Sequence, residues 1–143
     1  MNTKVLVAGL AGGIAAFLLG WVIFGMVLMG YYEANMIHYD GLMKTEGEMN
    51  LGLMFASNLM LSMMLAYVFH RMGVNDLVGG MIAGAIIGFL FYLSVDLGFL
   101  AMMNMFANNT MVVVDVLANT VWVACTGAVI GLILGRGKAT ATA

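Results

Sequence analysis

Along the chain, apolar residues fall into four long runs separated by short polar breaks. The first extends from about Val5 to Tyr32 and the second from about Asn50 to the His70-Arg71 pair. The third extends from Leu77 to about Met103 and the fourth from about Met111 to Leu134. Each is long enough for the roughly 20 apolar residues that carry a helix across a bilayer core. Nothing alternates with the period of two that a membrane β-barrel needs. Residues 33–49 form the only sizeable polar segment, Met72–Asp76 and Asn104–Thr110 are short turns, and 135–143 is a small polar tail. Short turns make successive helices antiparallel neighbours. The pattern predicts an all-α fold: one integral membrane domain, an up-down bundle of four transmembrane helices.

Within the runs, small residues recur every four positions. Ala8, Gly12, Ala16 and Gly20 do so in the first, with Leu10, Ile14, Phe17, Leu18 and Trp21 on the opposite face. Gly80, Gly84 and Gly88 repeat the device in the third run, and Gly127, Gly131 and Gly135 in the fourth. Such rows let helix backbones approach closely where lipid supplies no hydrophobic drive. Packing within the chain is the plain reading. Three rows are more than one bundle obviously needs, so a homo-oligomer or a larger membrane-protein partner is also expected.

Composition narrows the function classes. Hydrophobic residues make up 64% of the 143 and charged residues 8%, against about 25% charged in soluble domains. Five basic and seven acidic side chains cannot clothe a water-facing surface, and no basic face exists to bind nucleic acid. The lone Cys125 makes no intramolecular disulfide. The apolar stretch after Lys4 is too long for a signal sequence and is read as a retained membrane helix. Lys4, Arg71, Arg136 and Lys138 share one side of a four-span topology, with only Lys44 on the other. Both termini are therefore expected in the cytoplasm, with residues 33–49 outside.

The chemistry-bearing residues inside the spans are few. Two are acids, Asp96 and Asp115, and a carboxylate at a helix centre costs about 2.5–3.5 kcal/mol. Counted from the turn that joins their helices, both lie roughly 6–11 Å below the outer boundary at 1.5 Å per residue. Asp115, Asn119, Trp122 and Thr126 fall within about 60° of arc, a polar stripe away from the glycine face. Asp96 shares its side with Tyr92, and Asn58 begins near the same depth on the second span. A cluster of Asn58, Tyr92, Asp96, Asp115 and Asn119 is thus expected in the outer half. It could bind a cation, relay protons or cradle a polar solute; equally, it could clasp helices together by hydrogen bonds.

Other candidates are weaker. Glu33, His38 and Asp40 match no compact ligand spacing, and with Tyr31, Tyr32 and Tyr39 they read as a solvated loop with interfacial aromatics. Met60 and Met64, followed by Gly80 and Gly84, resemble the arrangement of three-span copper transporters, but the Met-rich leader and terminal Cys/His ligands are missing. No nucleophile–base pair or phosphate loop is visible, so neither an enzyme nor a cofactor is expected.

The run Gly20-Trp21-Val22-Ile23-Phe24-Gly25, with Ala118-Asn119 followed by Gly127-Ala128-Val129-Ile130-Gly131-Leu132, resembles the small four-span bacterial membrane proteins of domain of unknown function 1761. That resemblance implies four helices in a bacterial inner membrane and no assigned activity. The leading functional expectation is a small oligomeric transport or permeation unit, with Asp96 and Asp115 handling a cation or proton. The alternatives are a scaffold or accessory subunit that docks a partner through its glycine faces, and a membrane ligand sensor.

Overall fold

The computed structural model describes residues 2–136, so Lys138 and the remainder of the expected tail lie outside the described residues. Four long helices dominate: α1 (Thr3–Val22), α3 (Leu51–Met72), α4 (Leu77–Met102) and α5 (Asn109–Gly135). A short α2 (Met29–Asn35) follows α1 through a π-helical turn at Ile23–Val27. No strand occurs among the described residues. Four helices are long and apolar enough to cross a membrane, the first counted as Thr3–Val27. The fold is all-α, as the apolar runs imply. The first run departs from expectation: it is a helix broken by a π turn, and helical structure extends past Tyr32 to Asn35.

Polar residues set the helix starts. Asn2, Asn50, Asp76 and Asn108 are extended at the N-cap, and each side chain accepts a backbone N–H two or three residues on. These bonds satisfy amides that would otherwise be orphaned near a membrane boundary. Gly73 closes α3 with φ 76°, the left-handed conformation that glycine takes without a Cβ penalty.

The packing is centred on α5, whose membrane window is 50% buried against 17–28% for the other three. Its principal neighbours are α4 and α1, and α1 packs in turn on α3. Despite the short turn that joins them, α3 and α4 barely touch. Connection length alone therefore misplaces this pair. The preference of α4 for α5 has a steric cause: a Cβ on Gly80 would strike the Gly127 carbonyl, and one on Gly131 would strike that of Asp76. At Gly84 the clash would be with the Val123 carbonyl at 2.5 Å. The two glycine rows zip against each other, backbone to backbone.

The row on α1 is consumed in the same way. A Cβ on Gly12 would meet Ile130 Cγ1 at 2.6 Å and one on Gly13 would meet Leu59 Cδ1 at 2.9 Å. Gly9 backs onto Met63, Gly20 faces Trp122, and Ala16 is fully buried. Leu10, Ile14, Leu18 and Trp21 on the opposite face are exposed, as a lipid-facing side requires. All three rows are covered by the chain itself.

Candidate functional site

The interface between α4 and α5 changes character along its length. On α4 the row of every fourth residue reads Gly80, Gly84, Gly88, Tyr92, Asp96; on α5, counted backwards, it reads Gly135, Gly131, Gly127, Val123, Asn119, Asp115. The helices are antiparallel neighbours, so the glycine ends meet each other and the acidic ends meet each other. Where both rows are glycine, the backbones touch. Where they become Tyr92, Asp96, Asn119 and Asp115, these residues line a cleft of about 360 Å³.

The cleft is lined by Tyr92, Val95, Asp96 and Phe99 of α4, Asp115 and Asn119 of α5, Phe24 and Tyr32 from the other wall, and Met36, Met105 and Phe106 from the loops. Asp115 is well partnered. Its Oδ2 accepts from Asn119 Nδ2 at 2.9 Å, and its Oδ1 accepts from the Tyr32 hydroxyl. The Tyr32 hydroxyl is the donor of that second bond. Asp96 is not partnered in this way. It is 3% exposed, and its Oδ2 is buried with no hydrogen-bond partner. A buried carboxylate oxygen without a donor is expensive; the Ser62 and Thr126 hydroxyls are buried without a partner too, but of these only Asp96 lines the cleft.

Three structural devices build the wall of the cleft at the α4–α5 turn. The π turn at Ile23–Val27 inserts one extra residue, which rotates everything after it by about 100°. Tyr32 follows that turn and reaches Asp115 across 83 residues of sequence. Beyond α2 the chain pairs with the α4–α5 connection: Ile37 N–H donates to the Met105 carbonyl at 2.8 Å and Ala107 N–H to that of Asn35 at 2.9 Å. Asn108 Nδ2 reaches Asn35 Oδ1 at 2.9 Å, and the Tyr39 hydroxyl donates to the Asn104 carbonyl at 2.6 Å. The two segments thus form one cap, from which Met36, Met105 and Phe106 face the cleft.

At the cleft's inner end stands Trp122. Its Nε1 donates to the Ala16 carbonyl at 2.8 Å, and its ring stands edge-to-face with Phe24 and Tyr92 at centroid distances of 6.2 and 6.3 Å. Phe24 in turn packs edge-on against Tyr32 at 5.9 Å. The aromatic residues form a connected frame behind the acids.

Of the five residues expected to cluster, the structure brings together Tyr92, Asp96, Asp115 and Asn119. It leaves out Asn58, whose Nδ2 donates to the Met54 carbonyl of its own helix at 2.7 Å. The cause is the helix arrangement: α3 packs on α1 and barely meets α4, so equal depth brings no proximity. The stripe expected away from the glycine face is also corrected, since Asp115 and Asn119 face α4 as the glycines do. A row of every fourth residue winds about 40° per step, and a crossing partner that follows the ridge stays against it. Tyr32, read as an interfacial aromatic, is instead a first contact of Asp115. His38 bonds the Glu33 carbonyl at 3.0 Å, a local loop contact. Met60 and Met64 are 61% and 47% exposed, away from Gly80 and Gly84, whose faces α5 covers.

The role of Tyr32 can be measured. Tyr32→Phe keeps the ring and removes the donor to Asp115, at an expected stability cost of about 1 kcal/mol. Thermal unfolding in detergent should register the loss. Tyr39→Phe, whose hydroxyl bond lies in an exposed loop, should shift the midpoint less; equal shifts would contradict the assignment.

No family model, curated protein or solved structure matches the chain.

Proposed function

We propose that the chain is a small transport or permeation unit that takes up a cation or proton in the cleft between α4 and α5, with Asp96 and Asp115 as the binding carboxyls. The carrying observation is the Asp96 oxygen, buried and without a donor in a cleft that Asp115 shares. Asp115 is satisfied by Asn119 and Tyr32, whereas the Asp96 Oδ2 beside it in the cleft is not. Docking of a larger partner through the glycine faces has less support, because the chain's own backbone and side chains occupy them.

We further propose that the chain lies in a bacterial inner membrane with both termini cytoplasmic, and that it is a relative of the four-span family it resembles. Lys4 and Arg136 meet at one end of the bundle, where Lys4 Nζ donates to the Arg136 carbonyl at 2.8 Å. The cleft lies toward the other end and would open outward.

The test is flux. In proteoliposomes Asp96→Asn should retain the fold, because the amide fills the same space and can hydrogen-bond. It should abolish proton- or cation-dependent flux, because it cannot carry the charge. Absence of flux through the parent protein would overturn the transport reading, and full flux through the Asp96→Asn variant would remove Asp96 from it and leave that residue structural.

A further inference from the structure

We propose that the cleft's ligand is an organic ammonium cation, with its apolar substituents against the aromatic walls and its charge against Asp96 and Asp115. This rests on the cation reading above and names the substrate class. Two independent observations carry it. The first is the Asp96 carboxylate: 97% buried, without a donor on Oδ2, and part of the cleft wall. The second is the chemistry of the remaining walls. Of eleven lining residues five are aromatic and three more are Met or Val, against two acids and one amide.

That lining suits a bare metal ion poorly. Hard cations take six or more oxygen ligands, or keep several waters. Among the described residues, no three His, Cys, Asp or Glu side chains converge. A proton would need no cleft of this size. About 360 Å³ falls within the range of small-molecule pockets. An alkylated ammonium matches both properties at once. Its charge is spread over apolar carbon, so it loses little hydration on entry, and its methyl or methylene groups can sit over the ring faces of Phe24, Tyr92, Phe99 or Phe106. Those rings come from the π turn, from α4 and from the α4–α5 turn, so they surround the acids from several sides.

The experiment is calorimetric titration of the full chain, purified in a maltoside detergent that carries no ammonium group. The probes are choline, its neutral isostere 3,3-dimethylbutan-1-ol, and sodium chloride. Choline is expected to bind at least tenfold more tightly than the isostere. Phe24→Leu and Phe106→Leu should each weaken it at least threefold, and Asp96→Asn should remove it. Phe106 is in a loop, so its variant remains informative if Phe24→Leu fails to fold. Equal affinity for choline and the isostere would overturn the proposal, because the charge would then be irrelevant. So would choline binding unchanged in both Phe variants. Asp96-dependent sodium binding without choline binding would overturn the organic-cation inference and leave the transport reading standing. Binding of neither, together with no flux through the parent protein, would overturn both.

Discussion

Replacing Gly84 by leucine should prevent α4 and α5 from packing and lower the unfolding midpoint sharply. Even the first added carbon has no room, since it would lie 2.5 Å from the Val123 carbonyl oxygen and 3.2 Å from Ala124 Cα. Both are helical backbone atoms, and neither can rotate aside as a side chain would. The helices must separate, and separation also breaks the contacts of Gly80 with Gly127 and of Gly88 with Val123. Overpacking of a tight core costs roughly 1–3 kcal/mol and occasionally more, and this site belongs at or above the upper end. That is a large share of a stability of about 5–15 kcal/mol. Gly98 is the control, because it lies on the same helix and its nearest neighbour is Met102 Cε at 3.9 Å. Gly98→Leu should melt within a degree or two of the parent. Equal melting of Gly84→Leu and the parent would mean that the two glycine rows do not touch.

The contact between these rows also explains which parts of the site could be read from the chain. The spacing of Gly80, Gly84 and Gly88 and of Gly127 and Gly131 is a local signal, and it announces close packing directly. The depths of Asp96 and Asp115 follow from counting residues from one short turn. Those two inferences suffice to bring the acids to the same level of adjacent helices, as the cleft requires. Asn58 failed the same reasoning because depth says nothing about which helices are neighbours, and α5 rather than α3 lies against α4. A helical projection turns Asp115 and Asn119 away from the glycine face because it treats each helix alone. A ridge that winds away on the projection stays in contact when the partner crosses along it.

Tyr32 is a different case. Its approach to Asp115 depends on a π turn at Ile23–Val27, and no residue type in that stretch distinguishes a π turn from ordinary helix. Gly25 sits within it, yet a glycine inside an apolar helix is too common in membrane segments to serve as a signal. The cap was equally hidden. The bonds from Ile37 to Met105 and from Ala107 to Asn35 join segments about 70 residues apart through backbone groups, which carry no sequence identity. What the chain did display there was two adjacent tyrosines at the end of an apolar run, and an aromatic belt accounts for that equally well.

Trp122→Ala should be the most damaging single change near the cleft. The indole is 7% exposed and touches three parts of the bundle: the Ala16 carbonyl through Nε1, and the Phe24 and Tyr92 rings through its edges. Truncating a buried Trp typically costs about 3–5 kcal/mol in a soluble core. In detergent the unfolded reference is itself apolar, so the loss here is mainly of packing contacts and should fall near 3 kcal/mol. Trp122→Phe separates the contributions. It keeps much of the ring volume and removes the bond to Ala16, whose carbonyl is a helical acceptor with its own amide partner, so the cost should be about 1 kcal/mol. The two variants should also differ in function. With alanine, Phe24 and Tyr92 lose the ring that fixes their angle, and the cleft gains an unfilled extension at its inner end. Choline affinity should fall with alanine by more than the fold population explains, while phenylalanine should stay within about threefold of the parent. If both variants melt alike and bind alike, Trp122 does not fix the aromatic frame, and the shape of the cleft must be set by α4 and α5 alone.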